Sequence, residues 1–383
     1  MRMLHTSDWH IGRSFHGYGT VDAVRTVLQR LVAQVTEHAV DVVLIAGDVF
    51  DSPAPAAECY TLLSDTLAGI RDAGARVIVT SGNHDSAARL GFQSALLRDG
   101  IDVITDPGRA AHPVTLTDAD GPVHVYGIPF LEPALVRPIW PGARTQAEVL
   151  ARAMDDVRDD LARRGGRSVV LAHCFAAGVD ATPNLERDIQ QGGLDVVPLA
   201  VFDGVDYAAL GHIHGRATLT ERVRYSGAPL HYSFGEGSKP RGSWLVDLAA
   251  DGAVRAEWLD LPVPRQVVTL EAPMQELLTS DRFAAYEDAW VQARYTDTLP
   301  ERDAMRRMQA RFPHCAIVAH APADGGIATG RGGYSRTVRA ARTDAEVAAA
   351  FLRHVRAGEG PTGQEAEILH EVLQDGMLQE AGA

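Results

Sequence analysis

The segment Val40-Asp41-Val42-Val43-Leu44-Ile45-Ala46 is apolar at every position but one. A run this short and uniform does not alternate, so it reads as a strand buried on both faces. Such a strand needs a covering layer on each side, and the flanking sequence supplies candidates. Upstream, Val24, Val27, Leu28, Leu31, Val32 and Val35 fall at helical spacing. Downstream, Tyr60, Leu63, Leu67 and Ile70 do the same before a further strand, Arg76–Thr80. Met3–Thr6 opens the series, and Val123–Tyr126, Val169–Ala172 and Tyr207–Leu210 continue it. Strands alternating with helices imply a layered α/β fold, largely parallel in its first half. From Arg224 to about Leu261 the pattern becomes strand-rich.

A chain of 383 residues exceeds one ordinary core. Pro262-Val263-Pro264 marks a boundary. The expected organisation is a large layered domain over 1–262, a small α+β unit over 263–340 and a helical tail over 341–383. The small unit would hold strands at Val267–Leu270, Val291–Tyr295 and Ala316–His320 and a helix from about Glu301 to Arg311. A glycine-rich stretch, Gly325 to Gly333, ends it. In the tail, Val347, Phe351 and Val355 stripe one short helix; Ile368, Leu369, Val372 and Leu373 stripe the next.

The chemistry is concentrated where strands end. Asp8-Trp9-His10 follows the first strand, Gly47-Asp48 the second and Gly82-Asn83-His84-Asp85 the third. His173 closes a fourth, and Gly211-His212-Ile213-His214 closes a fifth. All five sit at carboxyl ends, the edge of an open α/β sheet where loops converge on a crevice. Carboxylates, imidazoles and an amide without thiolates suit borderline divalent ions such as manganese, iron or zinc. Asp8, His10, Asp48, Asn83, His173, His212 and His214 are too many donors for one ion, so a pair bridged by Asp48 is expected, with both its oxygens presented to the cleft. Glycines 47, 82 and 211 would let the backbone turn sharply into the site.

Other classes are disfavoured. Cys59, Cys174 and Cys315 are an odd, scattered set, which fits neither a disulfide framework nor a zinc finger and suits a reducing cytoplasm. No apolar run approaches bilayer length, and the first residues lack the pattern of a signal peptide. The net charge of −14 is awkward for binding nucleic acid unaided. Only residues 265–342 are slightly basic, with 11 cations against 9 anions.

Asp8-x-His10, Gly47-Asp48, Gly82-Asn83-His84-Asp85, His173 and Gly211-His212-x-His214 together resemble the calcineurin-like metallophosphoesterases. The longer wording Thr6-Ser7-Asp8-Trp9-His10-Ile11-Gly12, Gly47-Asp48-Val49-Phe50-Asp51 and Gly211-His212-Ile213-His214 is similar to the SbcD-type repair nucleases of that superfamily. The resemblance implies a metallophosphoesterase β-sandwich flanked by helices, with a small α+β capping domain that contacts DNA and a C-terminal helical tail. It implies two divalent ions, manganese by expectation, with Mg2+, Fe2+ or Zn2+ as other candidates. Asp8, His10, Asp48 and His214 would hold the first; Asp48, Asn83, His173 and His212 the second. His84 would protonate the leaving oxygen and Asp85 would orient it. The implied activity is a 3'-5' double-strand exonuclease and a single-strand or hairpin endonuclease. The implied partner is an SMC-like ATPase of the SbcC type, docked on the C-terminal helices and supplying DNA affinity. A homodimer within a heterotetramer is implied, formed through helices containing Tyr60–Ile70 and Phe92–Leu96. Ala228, in Ser226-Gly227-Ala228-Pro229, departs from the serine common in that family.

His5, His38, His112, His124, His231, His314, His320, His354 and His370 read as ordinary turn or satisfied polar residues, and Cys174 as a small buried neighbour of His173, with a redox-sensitive thiol as the alternative. Arg302, Arg306, Arg307 and Arg311 read as a solvated helix face, with DNA backbone contact as the alternative. A stand-alone phosphodiesterase or phosphomonoesterase acting on a small nucleotide would share the whole site.

Overall fold

The computed structural model describes residues 1–97, 99–178, 196–322, 341, 343–356 and 359–380. The glycine-rich stretch from Gly325 to Gly333 lies outside the described residues. The chain forms two compact units, Met1–Pro264 and Arg265–Ala383.

The first unit runs β1 (Arg2–Thr6), α1 (Val21–Glu37), β2 (Val42–Ala46), α2 (Ala57–Asp72), β3 (Arg76–Thr80), β4 (Ile101–Ile104), β5 (Val114–Asp118) and β6 (Gly121–Gly127). It continues with α3 (Gln146–Arg164), β7 (Arg167–His173), β8 (Tyr207–Gly211), β9 (Ala217–Thr218), β10 (Val223–Tyr225), β11 (Gly242–Leu248) and β12 (Val254–Asp260). Two six-stranded sheets result, ordered β12-β11-β1-β2-β3-β4 and β9-β10-β8-β7-β6-β5. In the first, β1 to β4 pair in parallel and β11 and β12 add antiparallel. In the second, β10, β8, β7 and β6 are parallel, with antiparallel strands at both edges.

Side-chain alternation along β2 sets the layering. Val42 and Leu44 join Ile78, Val125, Val169, Leu171 and Ala209 in a core between the sheets. Val43 and Ile45 point the other way, into the core formed with Val24, Leu28 and Leu31 of α1 and Leu62 and Ile70 of α2. On the far side, Val170, Ala172, Ala208 and Leu210 pack against Val149, Ala153 and Val157 of α3. The layers are therefore helix, sheet, sheet, helix, and every residue of β2 is buried, as its unbroken apolar run requires. His5 bridges the sheets, its ring nitrogens 2.9 Å from the Tyr207 hydroxyl and 3.1 Å from the Leu210 carbonyl oxygen. Burial pulls its pKa down to about 3, so it is a neutral core histidine.

The second unit carries a parallel sheet of β13 (Val267–Ala272), β14 (Trp290–Tyr295) and β15 (Cys315–His320). The short helix α4 (Met274–Thr279) and α5 (Ala304–Arg311) complete a core of Leu270, Leu277, Val291, Met308 and Phe312. Helix α5 starts later than the sequence suggests, because Asp303 takes a left-handed conformation at φ 53°. Arg302 thus falls outside it. Arg306 pairs with Asp303, Arg307 with Glu301, and Arg311 with Glu287. Arg311, 14% exposed, also donates to the carbonyl oxygens of Leu277 and Ser280, so it belongs to the packing of this unit and not to a solvated face. In the tail, α6 (Asp344–Val355) is capped by Thr343, whose side chain accepts from the Glu346 amide. Arg356 and Glu365 form two hydrogen bonds of 2.7 Å between α6 and α7 (Gly363–Glu380). Phe351, Ile368 and Val372 remain at least half exposed. Among the described residues, no helix is long and apolar enough to cross a membrane.

Candidate metal centre

All the strand-end residues singled out in the sequence come together at one crevice. Asp8, His10, Asp48, His173 and His214 form its buried floor; Asn83, His84 and His212 rise to its rim. Three sets of donor atoms, each within 4.8 Å of one another, overlap there: Asp8, His10 and His214; His10, Asp48 and His84; Asp48, His173 and His212. Sharing both sheets, the crevice depends on the sandwich closing: β1 to β3 supply one wall, and β7 and β8 the other.

The backbone at the strand ends is under tension. Asp8, His10 and Asp48 sit at φ of 52°, 43° and 48°, and His212 at 106°. Non-glycine residues in such conformations cost on the order of 1–3 kcal/mol each and persist where surrounding structure imposes them. The glycines divide into two roles. Gly47 has φ +82° and makes the turn itself. Gly82 and Gly211 need no special φ; they permit close approach. A Cβ on Gly211 would overlap the Ala46 carbonyl oxygen and lie 2.9 Å from His173 Nδ1. Gly211→Ala is expected to cost about 1–3 kcal/mol through overpacking. Thermal unfolding of the variant checks this, and an unchanged Tm would show that the two sheets can separate freely at that point.

The donors converge on one another in a buried site, which is the test of whether a cation fits. His173 Nδ1 lies 2.9 Å from the Ala46 carbonyl oxygen, an acceptor only, so Nδ1 carries the proton. Its Nε2 faces Asp48 Oδ2 at 3.3 Å and Asn83 Oδ1 at 3.0 Å. His10 and His214 turn their Nδ1 atoms toward carboxylates, Asp51 at 3.2 Å and Glu236 at 3.4 Å. Their Nε2 atoms meet 3.1 Å apart. Imidazole nitrogens and carboxylate oxygens converging in a buried site call for positive charge between them, carried by a proton or by a metal ion competing for the same positions. The residues present fit divalent metal.

The protonation behaviour has the same origin. Burial lowers His10 to about 4, against the opposing pull of Asp51 and Asp48. Burial, with His173 nearby, lowers His212 to about 3. For His173 burial also pulls downward, but the adjacent Asp48 carboxylate overrides it and raises the group to about 9. Asp48 is correspondingly held well below the usual carboxylate range by His173, despite its burial.

Two expectations need correction. Asp48 does not present both oxygens to the cleft. Its Oδ1 accepts the His84 amide at 2.8 Å, and Oδ2 alone sits between His10 Nε2 at 3.6 Å and His173 Nε2 at 3.3 Å. Nor does Asp85 orient the His84 ring. Its carboxylate accepts from the amides of Val49 at 3.0 Å, Phe50 at 2.9 Å and Gly82 at 2.9 Å, stitching the loop after β2 to the loop after β3. Burial and the nearby Asp48 push Asp85 up to about 6. The His84 ring is fixed instead by its Nδ1, 3.0 Å from the Asp51 carbonyl oxygen.

Several supporting residues are not visible from the sequence. Asp51 closes the motif that begins at Gly47, yet nothing local shows that it faces His10 and is bound by Arg13 at 3.0 Å. Ser7 Oγ donates to Asp8 and lies 2.8 Å from Ser226 Oγ. The Tyr232 ring packs 5.6 Å from His10 and 6.0 Å from His214. Glu236 and Arg241, a buried ion pair behind His214, carry no signal at all.

The calcineurin-like phosphoesterase family matches residues 1–216. The family described as type 5 capsule protein repressor C-terminal domain matches 263–356. The SbcD component of the SbcCD nuclease of Rhodobacter capsulatus is 36% identical over 296 residues, covering 72% of this chain and 72% of that protein. Its counterpart in Escherichia coli K12 is 30% identical over 328 residues, covering 81% and 82%. That of Bacillus subtilis 168 is 30% identical over 275 residues, covering 68% and 69%. With these proteins matched over most of its length and theirs, and a crevice whose donors fit divalent metal, the chain belongs to the SbcD family of calcineurin-like phosphoesterases.

Proposed function

We propose that this chain is the nuclease component of an SbcCD-type complex, hydrolysing phosphodiester bonds in DNA at a two-metal centre. The observation that carries the metal reading is Asp48 Oδ2, a single carboxylate oxygen set between the Nε2 atoms of His10 and His173. Asp8, His10, Asp48 and His214 would hold one ion; Asp48, Asn83, His173 and His212 the other. Manganese is the ion we propose. When bound, the pair would polarise the phosphate and lower the pKa of water.

The chain's own residues then do the rest. Asp48, shared between the two donor sets, keeps them in register. His84, on the rim with its Nδ1 held by the Asp51 carbonyl, has Nε2 left to give a proton to the leaving oxygen. Asp51 and Glu236 hold His10 and His214 with their Nε2 atoms inward. Asp85 keeps the loop that carries Asn83 and His84 in place through backbone amides.

Double-strand ends and hairpins are the proposed substrates, cut as a 3'-5' exonuclease and as an endonuclease. An SbcC-type ATPase would supply the DNA affinity that a chain of net charge −14 lacks. The exposed Phe351, Ile368 and Val372 of the tail are the proposed contact with that ATPase. Exposed Tyr60, Phe92 and Leu96 support a homodimer through this region, within a heterotetramer. Phe92 itself lies in a turn, and only Ser94–Leu96 forms a short 3-10 helix.

The test is cleavage of hairpin and blunt-ended DNA with manganese, with and without the ATPase. DNA cutting that the ATPase stimulates is expected. Hydrolysis of a small phosphodiester with no DNA cleavage under either condition would leave only a small-nucleotide esterase. Deleting residues from 343 onward should leave weak nuclease activity and abolish co-purification with the ATPase. Undiminished co-purification would remove the tail from that role.

A further inference from the structure

We propose that Glu236, clamped by Arg241, is a positioning residue for His214 and thereby controls the affinity of one of the two ion sites selectively. This role rests on the metal-centre reading of the crevice.

Glu236 is fully buried and Arg241 is 2% exposed. Glu236 Oε1 and His214 Nδ1 lie 3.4 Å apart, an ion-pair distance, and neither atom has a hydrogen-bond partner among the described residues. Its Oε2 accepts the Tyr232 amide at 2.7 Å and lies 3.3 Å from Arg241 Nη2. Arg241 Nη1 donates to the carbonyl oxygen of His214 itself at 2.5 Å and to that of Ala228 at 3.1 Å. One ion pair therefore references both the ring and the main chain of the same histidine. Neither partner is near solvent, so the pair is not a surface accident. Nor is it explained as a source of stability, because a buried ion pair is often no more stable than apolar residues of the same volume.

What an anion behind Nδ1 provides is chemical. It selects the tautomer with the proton on Nδ1, aims the Nε2 lone pair at the crevice and makes the ring a stronger donor to a metal. The two donor sets differ in this respect. Both histidines of the set Asp8, His10 and His214 have a carboxylate behind them, from Asp51 and Glu236. In the set Asp48, His173 and His212, His173 rests on the neutral carbonyl of Ala46, and His212 Nδ1 meets the Asn83 side-chain oxygen at 2.9 Å. Losing the Glu236 charge should thus weaken one ion and spare the other.

The experiment is calorimetric titration of the purified full chain with manganese, alongside electron paramagnetic resonance to separate paired from single ions. Glu236→Gln should weaken one ion by about 10–100-fold, leave the other at parental affinity and replace the spin-coupled signal by that of an isolated ion. Because an Arg241 guanidinium left without its anion is liable to unfold that variant, the double variant Glu236→Gln, Arg241→Met is measured too. It removes both charges while keeping volume, and should show the same selective loss with a parental apo-protein Tm. Parental affinity for both ions in the double variant would overturn the proposal, as would equal weakening of both. A parental chain that binds no manganese would overturn the metal-centre reading and this proposal with it, whereas unequal binding without DNA cleavage would leave the proposal standing and refute only the nuclease assignment.

Discussion

Asp48→Asn should empty the crevice of both ions and lower phosphodiester hydrolysis by on the order of a thousand-fold or more, the several kcal/mol that two-metal charge stabilisation supplies. The variant is chosen for what it preserves. An asparagine can still accept the His84 amide through Oδ1, the bond that Asp48 makes at 2.8 Å, so the loop after β3 keeps its anchor. What it loses is the negative charge on Oδ2, the atom facing both His10 and His173. The ligand sets proposed for the two ions share that one oxygen, so the loss should not be confined to one ion. Elemental analysis of the purified variant and a model-phosphodiester assay read the two effects separately. Retention of one ion per chain with activity within tenfold of the parent would show that Asp48 serves a single site.

His84→Ser should have the complementary outcome: both ions retained, and cleavage reduced by about 10²–10⁴-fold, the usual contribution of a general acid. The expectation rests on position. His84 is 23% exposed while His10 and His173 are sealed, and its Nδ1 is committed to the Asp51 carbonyl oxygen. Yet His84 also falls within donor distance of His10 and Asp48, and its ring centroid is 4.8 Å from that of His10. A metal ligand at this position is therefore a real competitor to a proton donor. Metal content decides between them, since a ligand's loss would lower it and an acid's loss would not. A substrate with a leaving group that needs no proton should recover much of the lost rate only if His84 is the acid.

The layered fold and the place of the crevice were legible because both are written in short-range patterns. Period-3.6 apolar stripes in α1 and α2 and the unbroken apolar run of β2 declare which faces are buried before any contact is known. Asp8, Asp48, Asn83 and His212 follow strands in the chain and His173 ends one, so chain order alone puts them at one sheet edge. The supporting residues have no such mark. Glu236 lies on a short turn, Phe234–Glu236, that resembles any surface loop in sequence, and only packing buries it behind His214. Asp85 sits beside His84 in sequence, which suggests a partnership, but its carboxylate turns away to three amides.

Residue type and local periodicity were enough to place the candidate donors, the strand ends that carry them and the helices that flank them. Folding was needed to set which Asp48 oxygen faces His10 and His173, what lies behind each imidazole and how β11 pairs with β1 more than two hundred residues away. Those are consequences of long-range pairing, where the contact partners are set by how whole sheets pack and not by any neighbour in the chain.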